Sequence, residues 1–547
     1  MLYNKTSMMN NMIYNSFTVP AAKVRTLAAG LFLAVLPSVA VAQQPADSVS
    51  LTSMTFVRQS FVRNFYNSSK VMSRINMDGT RLFLPDAANI VVMDGDSARA
   101  VSMRQEGRTL VLGSTADDWS ASTLRVGAFH PYLCYEARFS GIEGDERAGI
   151  DFTDNEGKER TIRTMYHGGR VVSEIIENGH AKQLVSKEVG RRERVSLRVQ
   201  YTGVRFHVFL LGDDGQADLL YSAECDMRRV DTCTRYSFGV RAELPAGGEV
   251  TVEDARSLLT CGTGQADPQV VQLKDGSPLI RDGRLYVCMT TRGFERICDS
   301  WQGVYSIDLD SYELRLEGAL FFGKGDGLMY GFHATKMVYD EDADRFLVMT
   351  TTHEDTHTLA YSSSSADLLH GMHYLECTEL PFPHSYSNGH VFNTEDPDFF
   401  FDSEAERWRL AYCALKDGSY VTYLCESDEW NGPYRQVAES DRNNNTGIRI
   451  TTVGGRRHVL SGGTGTTFYI YDYPSLRCLG TFNQQFANGG FRGWPTIVPV
   501  PYGNYERYLW ITFDRGAQTG RYSYGTLYFY LGDKMWRLPD TAAPRTR

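Results

Sequence analysis

The strongest constraint on this chain is a hairpin pattern that recurs five times in its second half. Asn393-Thr394-Glu395-Asp396-Pro397-Asp398 leads into Phe399-Phe400-Phe401, turns at Asp402 and returns through Arg407-Trp408-Arg409-Leu410. The same order of polar start, apolar run, Gly/Asp/Asn turn and second apolar run is found four more times. Ser277-Pro278-Leu279-Ile280 returns through Leu285-Tyr286-Val287, and His333-Ala334-Thr335-Lys336-Met337-Val338 through Phe346-Leu347-Val348. Thr446-Gly447-Ile448-Arg449-Ile450 returns through His458-Val459-Leu460, and Trp494-Pro495-Thr496-Ile497-Val498 through Tyr508-Leu509-Trp510. The ring-bearing residues Tyr286, Phe346, Trp408, His458 and Tyr508 follow one another at 60, 62, 50 and 50 residues. Short hairpins at such a period are what propeller blades look like in sequence. Five units predict a five-bladed β-propeller over 263–538, against the alternative of a β-sandwich with irregular hairpins.

Upstream, residues 81–262 are also written in strands but without that period. Arg194-Val195-Ser196-Leu197-Arg198-Val199-Gln200-Tyr201 alternates as a half-buried strand does, and Asn155-Glu156-Gly157 and Asp213-Asp214-Gly215 mark turns. The expected class is all-β: an N-terminal jelly-roll or concanavalin-like β-sandwich followed by the propeller, joined near Cys261-Gly262-Thr263-Gly264. At 547 residues the chain is long enough for both. The sandwich is expected to pack against the propeller, with Trp119, Tyr132, Tyr135 and Tyr166 as stacking surfaces should it bind a glycan. Residues 43–80 read as an irregular lead-in, and 539–547 as a tail.

Lys23 and Arg25 precede an apolar run, Leu27 to Leu36, and Ala40-Val41-Ala42 offers a small-residue cleavage site. A run this short with such a site predicts a signal peptide over 1–42 and export to the periplasm, cell surface or medium, with no membrane span. A net charge of -10 with no basic stripe argues against a nucleic-acid or anionic-membrane partner. The ten cysteines are scattered and form no Cys-x-x-Cys pair, which argues against structural zinc. They are expected to be mostly buried thiols, with Cys225–Cys233 or Cys288–Cys298 open as disulfides.

In a propeller, one end of the inner strands converges on a central funnel. The polar residues at the five strand starts are therefore the candidate site: Asp267 and Asp275, His333 and Lys336, Glu395 and Asp396, Asn445 and Thr446, Arg492 and Trp494. Two carboxyl groups held on opposite sides of a sugar are the minimum equipment for hydrolysing a glycosidic bond. Asp267, Asp275, Asp396, Glu395 and His333 are the catalytic candidates. Trp494, Arg492, Lys336, Asn445 and Thr446 are the candidates for holding an oligo- or polysaccharide. His353, Asp355 and His357 alternate but lie in a polar loop and are not assigned to a metal.

Asp267-Pro268-Gln269-Val270 and Glu395-Asp396-Pro397-Asp398-Phe399-Phe400 resemble the Asp-Pro strand starts of five-bladed propeller glycoside hydrolases of the family 43 type, and Gly432-Pro433-Tyr434 resembles a blade-end turn of that group. The resemblance implies an Asp base at Asp267 (Asp275 is the rival), an Asp at Asp396 that tunes the acid, and a Glu acid in a later blade. It also implies a structural calcium in some members, for which no ligand set stands out here; no other cofactor is expected. The chain departs from the pattern at Asn445-Thr446-Gly447-Ile448, where the family shows Glu-Gly-Pro. Glu395 is the nearest substitute, yet beside Asp396 in a regular strand it points to the opposite face. Either the acid comes from elsewhere, or His333 takes part, or the site binds glycan without cleaving it.

Overall fold

The computed structural model describes residues 43–62, 69–74, 76–77, 82–83, 101–107, 109–155, 160–260, 264–292, 300–353, 357–381, 393–463, 466–483, 493–513 and 526–539. The expected signal segment and residues 540–547 of the expected tail lie outside them. The described chain is almost wholly β. No helix among the described residues is long and apolar enough to cross a membrane.

Two antiparallel sheets make up the first part. One runs His180–Glu188, Arg170–Glu177, Arg160–His167, Arg147–Asp154, Tyr236–Leu244 and Ser120–Ala128. The other runs Ala217–Glu224, Arg205–Leu211, Val195–Tyr201, Cys134–Ser140, Glu249–Thr260, Thr109–Ser114 and Val101–Glu106. Alternation sends Ile150, Phe152, Phe238 and Val240 from the first and Phe139, Val199, Tyr201 and Val252 from the second into one shared core. Phe129, Tyr135, Phe152 and Tyr201 meet there mostly edge to face. Three of the four rings expected as stacking surfaces are consequently buried: Tyr132, Tyr135 and Tyr166. Trp119 is exposed, with the Arg147 guanidinium 4.8 Å from its ring centre.

Five sheets follow, each built on four antiparallel strands. Blade 1 is built on Gly264–Val270, Arg284–Arg292, Trp301–Asp308 and Leu314–Gly323, and blade 2 on His333–Asp340, Arg345–Thr351, Leu359–Ser364 and Thr378–Glu379. Blade 3 is Thr394–Asp402, Arg407–Lys416, Ser419–Ser427 and Arg435–Asn443. Blade 4 is Thr446–Val453, Arg456–Gly462, Thr467–Asp472 and Cys478–Asn483. Blade 5 opens with Thr496–Tyr502, Tyr505–Phe513 and Leu527–Gly532. The first strands touch in cyclic order, blade 1 to 2, 2 to 3, 3 to 4, 4 to 5 and 5 back to 1, which closes a five-bladed ring. All five ring-bearing marker residues lie in second strands.

Two expectations are corrected. The segment read as an irregular lead-in supplies strands: Phe56–Val62 pairs antiparallel with Leu527–Gly532 and completes blade 5, and Ser69–Arg74 pairs with Glu249–Thr260. Phe56 is buried against Trp510 and Phe482, so an apolar face fixes this strand's place. In blade 1, the inner strand is Gly264–Val270 and not the run at Ser277, in which Pro278 bridges Gln272 and Ile280–Arg281 pairs with Arg284–Leu285.

The described cysteines, Cys134, Cys225, Cys233, Cys288, Cys377, Cys413, Cys425 and Cys478, are all thiols, so Cys225 and Cys233 are not joined. Cys298 lies outside the described residues. The two-sheet part and the ring meet through Arg229 paired with Leu328, through the Tyr132 hydroxyl donating to the Met329 carbonyl at 3.1 Å, and through His130 and Tyr132 packing on Phe321.

Candidate functional site

Each of the first four inner strands begins with the same irregularity. The ladder with the second strand slips between Ala266 and Gln269, His333 and Lys336, Glu395 and Asp398, and Thr446 and Arg449. The first extra residue of each bulge is left-handed: Asp267 at φ 55, Ala334 at 51, Asp396 at 65 and Gly447 at 69. Such backbone is costly for a residue with a Cβ and tends to be kept where it aims a side chain. Four blades therefore present equivalent positions at one end of the ring, and two of them carry carboxyl groups.

Asp267 is buried and accepts a hydrogen bond from Arg292 Nη2 at 3.2 Å. The same guanidinium reaches His333 Nε2 at 3.4 Å, and Ser300 Oγ lies 2.6 Å from that nitrogen. Because Arg292 only donates, His333 Nε2 is an acceptor there, which does not suit it to donate a proton through that atom. Asp396 is also buried. Its Oδ2 accepts from the Gly447 N–H at 2.7 Å, and its own N–H donates to Thr351 Oγ1 at 3.0 Å. Burial, then the negative charges of Glu395 and Asp267, hold the Asp396 carboxyl well above the usual carboxylate range. Asp267, from blade 1, is thus among the charges that raise Asp396, from blade 3.

The bulge also overturns the expected orientation of Glu395. With two residues of one strand opposite one of the other, Glu395 and Asp396 do not alternate. Cys413 Sγ stands 3.9 Å from Glu395 Oε1 and 3.6 Å from Asp396 Oδ2. Glu395 Oε2 is paired with His357 Nε2 at 3.1 Å. The His353 ring lies 5.7 Å from His357 and 4.5 Å from His333. Burial, with help from His357 and Arg292, lowers His353 to about 4, so it is neutral at pH 7.

The other candidates separate from this cluster. Asp275 sits in an exposed turn, accepting from the Ser277 N–H at 2.9 Å and hydroxyl at 2.6 Å; its proposed place followed from the misassigned inner strand. Lys336 is fully buried one level deeper, where the residues just past the bulges, Gln269, Lys336, Asp398 and Arg449, form a belt. Asp398 bridges Lys336 Nζ at 2.9 Å and Arg449 Nη1 at 3.0 Å, and Lys336 also donates to the Val270 carbonyl at 3.0 Å and to Gln272 Oε1. Burial, and then the neighbouring Arg449 charge, lower Lys336 to about 7. Both carboxylate oxygens of Asp398 face these two cations, so the belt offers a channel calcium no free anionic ligand.

Asn445 is buried and committed internally. It donates to the Arg442 carbonyl at 2.9 Å and the Tyr471 hydroxyl at 3.0 Å, and accepts from Thr422 Oγ1 at 3.2 Å. Thr446 is buried opposite Gly462 at the start of blade 4. Trp494 does not offer an open face: it is 3 % exposed, and its ring comes within 3.0 Å of where a Cβ on Gly447 would stand. The blade-4 position that lacks a carboxylate is thus closed by an indole. Arg492 and Asp355 lie outside the described residues.

Arg292, Ser300 and Cys413 were not singled out as site residues in the sequence because they do not stand at first-strand starts, and His357 was weighed there only as a loop residue. Arg292 ends a second strand, Cys413 lies within one, and Ser300 and His357 lie in the connections to third strands.

No protein-family model matches the chain, and no curated protein does. Among solved structures, the chain is similar to levansucrase from Bacillus subtilis, with 11% identity over 51% of this chain and 86% of that one at a TM-score of 0.35. It is similar to a family 117 glycoside hydrolase from Zobellia galactanivorans, with 10% identity over 51% and 87% at 0.37. It is also similar to the carbohydrate binding module CBM66 from Bacillus subtilis, with 16% identity over 30% and 93% at 0.23.

Proposed function

We propose that the chain is an exported glycoside hydrolase of the family 43-like type, a five-bladed propeller beside a sandwich of the jelly-roll type. It would cleave terminal or short-chain sugars of a plant or host polysaccharide at the bulged end of the ring. One observation carries this reading: Asp267 and Asp396 occupy equivalent left-handed positions in blades 1 and 3 and are buried within electrostatic reach of each other. The pair divides the work as acid–base catalysis requires. Asp396, whose carboxyl is held well above the usual carboxylate range, is the general acid for the leaving oxygen. This departs from the tuning role that the family resemblance implies for it. Asp267, ion-paired with Arg292, is the base that activates water or the nucleophile that attacks directly.

Glycan binding without cleavage is the second reading. It is favoured by Gly447, whose space is filled by Trp494 where a third acid would stand. Release of reducing sugar from a broad glycan panel separates the two. Asp267→Asn and Asp396→Asn should each lower turnover by at least about 100-fold, the scale of positioned acid–base groups, while binding persists. If the wild-type chain cleaves nothing but still binds a glycan, the second reading holds.

A further inference from the structure

One end of the two-sheet part holds a cavity of about 260 Å³ whose lining residues all lie between Ile142 and Glu193, and so outside the ring. Three connections build it: residues 141–146, the turn at Gly168-Gly169, and residues 189–194. The first and third carry the chain from one sheet to the other, so the cavity sits where the chain passes between them. Bonds between the connections fix its walls. The Tyr166 hydroxyl accepts from the Arg192 N–H at 2.6 Å and reaches the Gly190 carbonyl at 3.2 Å. The Gly169 carbonyl accepts from the Val189 N–H at 2.9 Å, and the Glu193 carbonyl from the Ile142 N–H at 3.1 Å. Gly168, Gly169 and Gly190 are left-handed, at φ 53, 81 and 78, and a Cβ on Gly169 would stand 3.1 Å from the Gly190 carbonyl carbon. Tyr166, expected as a stacking surface, acts here through its hydroxyl and ties the rim together.

The chemistry of the rim selects the ligand. Glu143, Arg191, Arg192 and Glu193 are exposed side chains that border the cavity. Among the described residues, no hydrogen bond or ion pair engages the side chains of Glu143, Arg191 or Glu193. Elsewhere in the two-sheet part, Arg163, Arg194, Arg198 and Arg256 all pair with acids. Two acids and two cations cancel, so the rim favours a ligand without net charge. A carboxylate only accepts hydrogen bonds and a guanidinium only donates them, whereas a hydroxyl does both. Adjacent hydroxyls of a sugar can therefore serve the acids and the cations at once, with Ile142 as apolar surface for its C–H bonds. A volume below the usual range for larger ligands suits a single ring. We propose that this cavity binds the terminal sugar of a neutral glycan, with Glu143 and Glu193 accepting from its hydroxyls and Arg191 donating to them. The walls are already bonded in place, so little ordering opposes binding. Occupation depends on neither Asp267 nor Asp396, and the site stands whether or not the ring cleaves glycans.

Full-length mature chain carrying Asp396→Asn, which keeps a cleaving ring from consuming the probe, is titrated with glucose, galactose, xylose, arabinose and fructose in turn. Glycine and glucuronate serve as zwitterionic and anionic controls, and binding is read by ligand-observed NMR. At least one neutral sugar should bind, with a dissociation constant on the order of a millimolar. Arg191→Ala and Glu193→Ala, both at exposed loop positions, should each weaken it at least about fivefold, with an unchanged circular dichroism spectrum. A sugar bound as tightly by both variants as by their parent would place the binding in the ring and overturn the proposal. A panel in which no neutral sugar binds would overturn it as well, and preferential binding of glycine or glucuronate would overturn the ligand class. Release of reducing sugar by Arg191→Ala with Asp396 intact reports on the ring alone, so failure of one site is not mistaken for failure of the other.

Discussion

At the scale of single residues, the site is defined by how one backbone irregularity aims side chains. The place of Asp267 and Asp396 near the starts of inner strands was legible because Asp-Pro is a recognisable strand start. The orientation of Glu395 was not, since period-two alternation fails wherever a bulge adds a residue. Lys336 was misjudged for a related reason: sequence shows which strand a residue starts, but not whether the ring buries it one level below the mouth. The upward shift of Asp396 has a measurable signature. An unfolded aspartate titrates near about 3.9, whereas the native group is held well above that. The stability it contributes is therefore complete below the unfolded value and is lost as pH rises through the native one. Asp396→Asn, which keeps the neutral shape, should gain in thermal midpoint relative to wild type as pH rises from 4 to 8. A midpoint difference that stays constant over that range would show that Asp396 ionises freely.

At the scale of elements, the repeated hairpins made the ring readable because blades 1 to 4 are local in sequence. Four strands contributed by nearby residues leave a periodic trace. The Phe56–Val62 strand left none, because its partner Leu527–Gly532 lies at the far end of the chain and nothing local announces the pairing. Blade 1 misled for a different reason. Gly264–Val270 is wholly buried and carries Asp-Pro, so neither alternation nor apolar content marks it as a strand. Phe56 offers a direct test of the closing strand. Its ring packs at 5.4 Å on Trp510 and 6.0 Å on Phe482, so Phe56→Ala should cost about 3–5 kcal/mol. It should also speed proteolysis near Leu527–Gly532. An unaltered thermal midpoint would mean that blade 5 is stable with three strands.

At the scale of the whole molecule, the strands change period near Gly264, but the core that the two stretches share left no trace in the sequence. One apolar core runs from Phe139 and Phe152 in the two-sheet part to Trp301 and Phe321 in blade 1 and on to Phe513 and Phe529 in blade 5. Interfaces between domains are usually smaller and wetter, and let each side melt alone. Here calorimetry should give a single cooperative transition, and Tyr132→Ala should lower it as a whole. Two well-separated transitions would contradict this coupling.

The strand that completes blade 5 sets an order of events. On a ribosome it is made among the first described segments, yet its hydrogen-bonding partner is made among the last. Until then Phe56 and its neighbours must wait with their edge unsatisfied, a non-local pairing of the kind that slows folding. A circular permutant that carries residues 43–62 after Arg537 would place both edges side by side, and its refolding would no longer depend on bringing the two ends of the chain together.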